Sequence, residues 1–99
     1  MAAFDLLGRR GALRILWELR GGQPMTFRVL QEAASTNPAV LNTRLAELRA
    51  ARLVVHEGQG YQLAPQGKTL LRALGPLSSW AAEWGAHLAA APRAERGDA

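Results

Sequence analysis

Residues 26–52, TFRVLQEAASTNPAVLNTRLAELRAAR, limit the choice of fold more than any other stretch of the chain. They contain two helix starts. Thr26 can accept, through its hydroxyl, from one of the backbone N–H groups that a first helical turn leaves unpaired. Phe27, Leu30 and Ala34 then share one face. Asn37 offers the same kind of cap, and Pro38 follows at the first helical position, where a missing N–H costs nothing. Leu41, Leu45 and Leu48 come next at i, i+4, i+7, the stripe of a helix with one buried side. Only Ser35-Thr36 separates the first helix from the second cap, so a tight turn must join the two. The second helix carries Asn42, Thr43, Arg44 and Arg49 away from its apolar side.

The flanking segments complete a single domain over 1–91. Residues 4–8 read as a short lead-in turn or helix. A fuller helix is expected from Arg9 to Arg20, with Ala12, Ile15, Leu16 and Leu19 as its stripe and Arg9, Arg10 and Arg14 off it. Trp17 lies at the edge of that stripe, covering a flank of the core or an interface. Gly21-Gly22-Gln23-Pro24 stops the helix. After the central pair, Leu53-Val54-Val55 and Tyr61-Gln62-Leu63 flank Glu57-Gly58-Gln59-Gly60, the pattern of a β-hairpin over 53–63. Pro65 opens a last helical region over 65–91. There Leu70, Leu74, Leu77, Ala81, Trp84 and Leu88 recur at alternating spacings of 4 and 3, a seam for a partner helix. Pro76 cannot donate back to Arg72, so a kink or a break into two helices is expected at Gly75-Pro76. The tail 92–99, PRAERGDA, has no apolar residue larger than alanine and is expected to be flexible. The fold class is mainly α with a small β-hairpin: a helix-turn-helix over 26–52, a wing over 53–63 and C-terminal dimerisation helices.

Composition narrows the function. The 99 residues carry a net charge of +4, with eleven Arg against the single Lys68. Arginine forks match phosphate oxygens and guanine edges, although an Ala- and Arg-rich chain also reflects a GC-rich genome. The absence of cysteine removes disulfides, thiolate zinc sites and thiol redox sensing. No run approaches the ~20 apolar residues of a membrane span, so a cytoplasmic location is the default expectation. His56 and His87 complete no metal-ligand set, Ser78-Ser79 sits in no nucleophile elbow, and no Gly-rich phosphate loop is present. An enzyme is not expected, and no cofactor is.

Duplex DNA is the expected partner. The second helix would present Asn37, Ala39, Asn42, Thr43 and Arg44 to base edges, with Thr26 and Arg28 of the propping helix on phosphate. Arg49 would reach the backbone or stay solvated. The wing has no Lys or Arg, so Gln59 would touch DNA lightly or the wing would be structural. Two alternatives stay open. These polar residues suit a merely solvated face, and a winged helix also serves as a peptide- or protein-binding module. The seam residues Leu70, Leu74, Leu77, Trp80, Trp84 and Leu88 suit a homodimer. Trp80 and Trp84, one turn apart, fit either interface packing or a flat slot for a planar aromatic ligand between subunits.

In the order and spacing of these residues the chain resembles the HxlR-type winged-helix transcription regulators. The likeness runs from about Leu7 to Trp84. Its marks are Leu7-Gly8 with a basic pair, Ile15-Leu16 and Leu19, Phe27 and Leu30. They continue through Val40-Leu41, Arg44-Leu45, Leu48 and Leu53-Val54, then Tyr61, Leu63 and Gly67, ending with Leu77 and Trp80. The resemblance implies a homodimeric bacterial DNA-binding protein that represses by occupying a pseudo-palindromic operator. The chain departs from the family where Gly11 replaces a tryptophan, Thr26 an arginine and Arg52 a glycine. It also lacks the N-terminal cysteine through which many relatives sense oxidants or aldehydes. PadR- and MarR-like regulators share the winged helix and form the looser alternative.

Overall fold

Thr26 and Asn37 cap two successive helices of the computed structural model, which describes residues 2–90. The Thr26 hydroxyl accepts from the Val29 N–H at 3.2 Å and opens α3, Phe27–Ala34. Asn37 Oδ1 accepts from the Val40 N–H at 2.8 Å and opens α4, Pro38–Ala50, with proline in the first turn. Ser35, in the left-handed conformation at φ 51, closes α3 and turns the chain. Ahead of this pair stand α1, Ala2–Leu7, and α2, Ala12–Glu18. Behind it come β1, Val54–Glu57, β2, Gly60–Leu63, and α5, Pro65–Ala90. The result is a mostly helical winged helix with a two-stranded antiparallel sheet.

The core is where the apolar stripes meet. Ile15, Leu16 and Leu19 of α2, Leu30 of α3 and Leu41, Leu45 and Leu48 of α4 bury together against Val54, Tyr61 and Leu63 of the hairpin. No polar or charged residue is buried among the described residues, so apolar burial is the force that fixes the helix arrangement.

Residues 9–20 do not form one helix. The chain breaks at Gly11, whose φ of 86 opens α2 from a left-handed position, a conformation that glycine alone adopts without steric cost. Arg9 and Arg10 therefore lie in the turn between α1 and α2 rather than on a helix.

The hairpin pairs Val54 with Leu63, Val55 with Gln62, His56 with Tyr61 and Glu57 with Gly60, leaving Gly58-Gln59 as a two-residue turn. Sequence periodicity does not reveal that a third segment joins it. Met25 N–H donates to the Tyr61 carbonyl at 2.9 Å and Tyr61 N–H to the Met25 carbonyl at 2.8 Å. The residue before the Thr26 cap is thus bonded to the wing. Gly67, in the first turns of α5, lies so close to Leu53 that a Cβ there would clash with the Leu53 carbonyl oxygen.

The helix α5 is assigned without interruption from Pro65 to Ala90, with Pro76 inside it. The expected break into two helices does not occur. Pro76 and Arg72 are both exposed, so water can take the Arg72 carbonyl that Pro76 leaves without a donor. At 1.5 Å per residue, 26 residues reach about 39 Å. The molecule measures 53 × 27 × 27 Å along its principal axes. Residue 91 and the tail 92–99 lie outside the described residues.

Candidate nucleic-acid interface

The helical repeat sorts the side chains of α4 into four sides. Leu41, Leu45 and Leu48 face the core. Ala39, Thr43, Ala46 and Ala50 lie on the opposite side, and all four are exposed. Asn42 and Arg49, also exposed, lie on the flank that looks toward β1. There Ala46, Arg49 and Ala50 form an open concavity of about 550 Å³ with Val54, Val55, His56 and Glu57. Val40, Arg44 and Glu47 occupy the other flank, where Arg44 and Glu47 meet the turn between α1 and α2. The outward side of α4 is thus a small-residue ridge with Thr43 on it and Asn42 beside it.

Arg44 is placed differently from its expected role. Its side chain is only 18% exposed. The Nε donates to the Arg10 carbonyl at 2.8 Å, and one terminal nitrogen bonds Glu47 Oε1 at 3.0 Å. Glu47 Oε2 in turn accepts from Arg9 at 2.9 Å. Arg44 is therefore a clamp between α4 and the 8–11 turn, and no fork remains directed at a base. No single-helix argument finds this, because its partner is a backbone carbonyl 34 positions away. The one signal in the sequence is the Arg9-Arg10 pair, set against a helix that carries Arg44 and Glu47.

Thr26 and Asn37 use their side-chain oxygens as caps, so contact with a phosphate or base falls to their backbone and remaining polar groups. Arg28, at the start of α3, is 89% exposed, with Glu32 at 3.9 Å, an ion pair that contributes little in water. The Arg49 side chain has no hydrogen bond or ion pair among the described residues. Gln59 sits exposed in the wing turn. His56 stacks on Tyr61 with ring centroids 4.1 Å apart, and among the described residues no group of three or more His, Asp or Glu could hold a metal ion.

Along α5, Leu70 and Leu74 are half-buried, whereas Leu77, Trp80, Trp84 and Leu88 are exposed. Trp80 and Trp84 stack on each other, 5.4 Å between centroids and 8° between planes. No ring can enter between them, so a planar ligand could meet only an outer face of the pair. Leu13 and Trp17 of α2 join Leu71, Leu74, Leu77 and Ala81 around an apolar groove of about 300 Å³. Arg20 lies over the Trp17 ring at 4.1 Å.

No family model matches the chain. It is 26% identical over 88 residues to an uncharacterised HTH-type transcriptional regulator of Methanocaldococcus jannaschii, covering 85% of this chain and 83% of that protein. Among solved structures, quinone-bound YodB from B. subtilis superposes with a TM-score of 0.76 at 28% identity, over 83% of this chain and 93% of the other. A MarR family protein of Mycobacterium tuberculosis gives a TM-score of 0.67 at 22% identity, over 98% of this chain and 73% of the other. The fold is that of the winged-helix regulators, and the Methanocaldococcus jannaschii relative is an HTH-type transcriptional regulator. No helix among the described residues is long and apolar enough to cross a membrane.

Proposed function

We propose that this protein is a sequence-specific, DNA-binding transcriptional regulator of the HxlR type that acts as a homodimeric repressor in the cytoplasm. The observation that carries the reading is the outward side of α4. Thr43 and Asn42 stand beside Ala39, Ala46 and Ala50, which are small enough for the helix backbone to come close to base edges. Asn pairs bidentately with adenine, and Thr and Ala suit the thymine methyl. Arg28 and Arg49 contact phosphate, while Arg44 acts through the turn that it holds. The α-helix is 10–12 Å across with its side chains and the major groove about 12 Å wide, so α4 fits lengthwise. Two copies joined along Leu70, Leu74, Leu77, Trp80, Trp84 and Leu88 would set two such helices roughly 34 Å apart on a pseudo-palindrome.

A gel shift with random duplex at low salt tests the reading. Binding at micromolar protein is expected, since non-specific binders of this kind reach that range. No shift there would leave the winged helix as a protein-binding module, a role that the cation-free hairpin suits. The outer face of the Trp80–Trp84 stack is proposed as the seat of a planar aromatic or quinoid effector, in keeping with the quinone bound by YodB. Such a ligand should quench tryptophan fluorescence saturably, and Trp80→Leu should abolish the saturable part.

A further inference from the structure

The wing lacks the cation with which a winged helix grips DNA beside its recognition helix, and the geometry points to Arg10 as the residue that supplies it from the other side. This inference rests on the DNA-binding reading above. A helix lying in the major groove has a phosphate ridge along each flank, because the groove is barely wider than the helix. One flank of α4 faces β1 and carries Arg49. The other faces the turn of residues 8–11. That turn is not loosely placed. Arg44 Nε holds the Arg10 carbonyl at 2.8 Å, and Glu47 holds Arg9 at 2.9 Å. Arg9 and Arg10 are neighbours with opposite assignments. The Arg9 guanidinium is paired with Glu47, a carboxylate that it shares with Arg44. Arg10 is exposed, and among the described residues its side chain has no hydrogen bond or ion pair. Its backbone is fixed to the middle of α4 while its guanidinium is available to an anion. Because α4 turns Thr43 outward next to the Arg44 flank, an arginine anchored there reaches the phosphate strand bordering the bases that Thr43 meets. The chemistry recognised is a duplex phosphate. Arg10 would position the protein along the groove without choosing a sequence.

Salt titration of duplex binding tests this, with Arg10→Gln compared against Arg72→Gln, which removes the same charge from α5. Losing one phosphate contact lowers the salt slope by about 0.9. Between 50 and 200 mM salt, the advantage of the unaltered protein over Arg10→Gln should therefore shrink about threefold for each protomer bound. The effect should be the same on random and on selected duplex, and Arg10→Lys should keep the slope. An unchanged slope in Arg10→Gln, or an equal fall in Arg72→Gln, overturns the assignment. If the unaltered protein shifts no duplex at all, the DNA-binding reading itself fails and takes this inference with it.

Discussion

Arg52 follows α4 at φ 63, where the Cβ of an L-residue crowds the backbone and glycine would not. The conformation is imposed by the next residue, since Leu53 N–H must return to the Leu48 carbonyl at 2.9 Å. Arg52→Gly should therefore raise stability by on the order of 1 kcal/mol, read as a higher thermal midpoint. Gly67 presents the opposite case. Alanine there would drive its Cβ against the Leu53 carbonyl, and because that oxygen is backbone the strain cannot relax through a rotamer. A loss of about 1–3 kcal/mol is expected in chemical denaturation. Both sites can be suspected from the sequence, one as an arginine where the HxlR-type regulators have glycine, the other as a lone glycine after Pro65. Arg44 cannot be read in the same way. Helical spacing places it off the leucine stripe, and only the folded turn shows that it meets a carbonyl rather than a base.

The central helices are legible in the sequence because their boundaries are written in local chemistry. Thr26, Asn37 and Pro38 act within one turn of where they stand, and α3 and α4 begin there. An apolar stripe does not report φ, so periodicity overextends the helix after Arg9, which Gly11 interrupts through φ alone. Pro76 misleads in the reverse direction. The rule against internal proline reflects a missing donor and a clash with the preceding turn. On an exposed stretch the unpaired carbonyl has water, and α5 passes through. Pro76→Ala should restore that bond and raise helical content, with a gain in stability of roughly 1–3 kcal/mol measured by far-ultraviolet circular dichroism and thermal melting. Which bases α4 would read depends on Thr43, Asn42 and the alanines, and residue identities at this spacing do not by themselves spell an operator.

The molecule as a whole is a small body with a long arm. The arm leaves Trp80 53% and Trp84 50% exposed, with Leu77 and Leu88 alongside, an apolar run that an isolated soluble chain rarely leaves open. A second copy of α5 covers it under the proposed assembly. The thermal midpoint should then rise with protein concentration. Leu77→Glu should give a monomer in analytical ultracentrifugation while keeping the circular dichroism of the winged helix. A monomer at every concentration in the unaltered protein would remove the two-half-site mode.

The pair of bonds between Met25 and Tyr61 ties the hairpin to the residue before the α3 cap. Without it, the hairpin would be held only by its ends at α4 and α5 and by Val54, Tyr61 and Leu63 in the core. With it, the wing swings out only when both bonds break and Tyr61 leaves the core at the same time. In hydrogen–deuterium exchange, the Met25 and Tyr61 amides should be protected alongside those of α2 and α4, while Gly58 and Gln59 exchange freely. Slow exchange at Tyr61 beside fast exchange at the nearby turn would mark the wing as a rigid fin, unable to adapt its angle to the duplex.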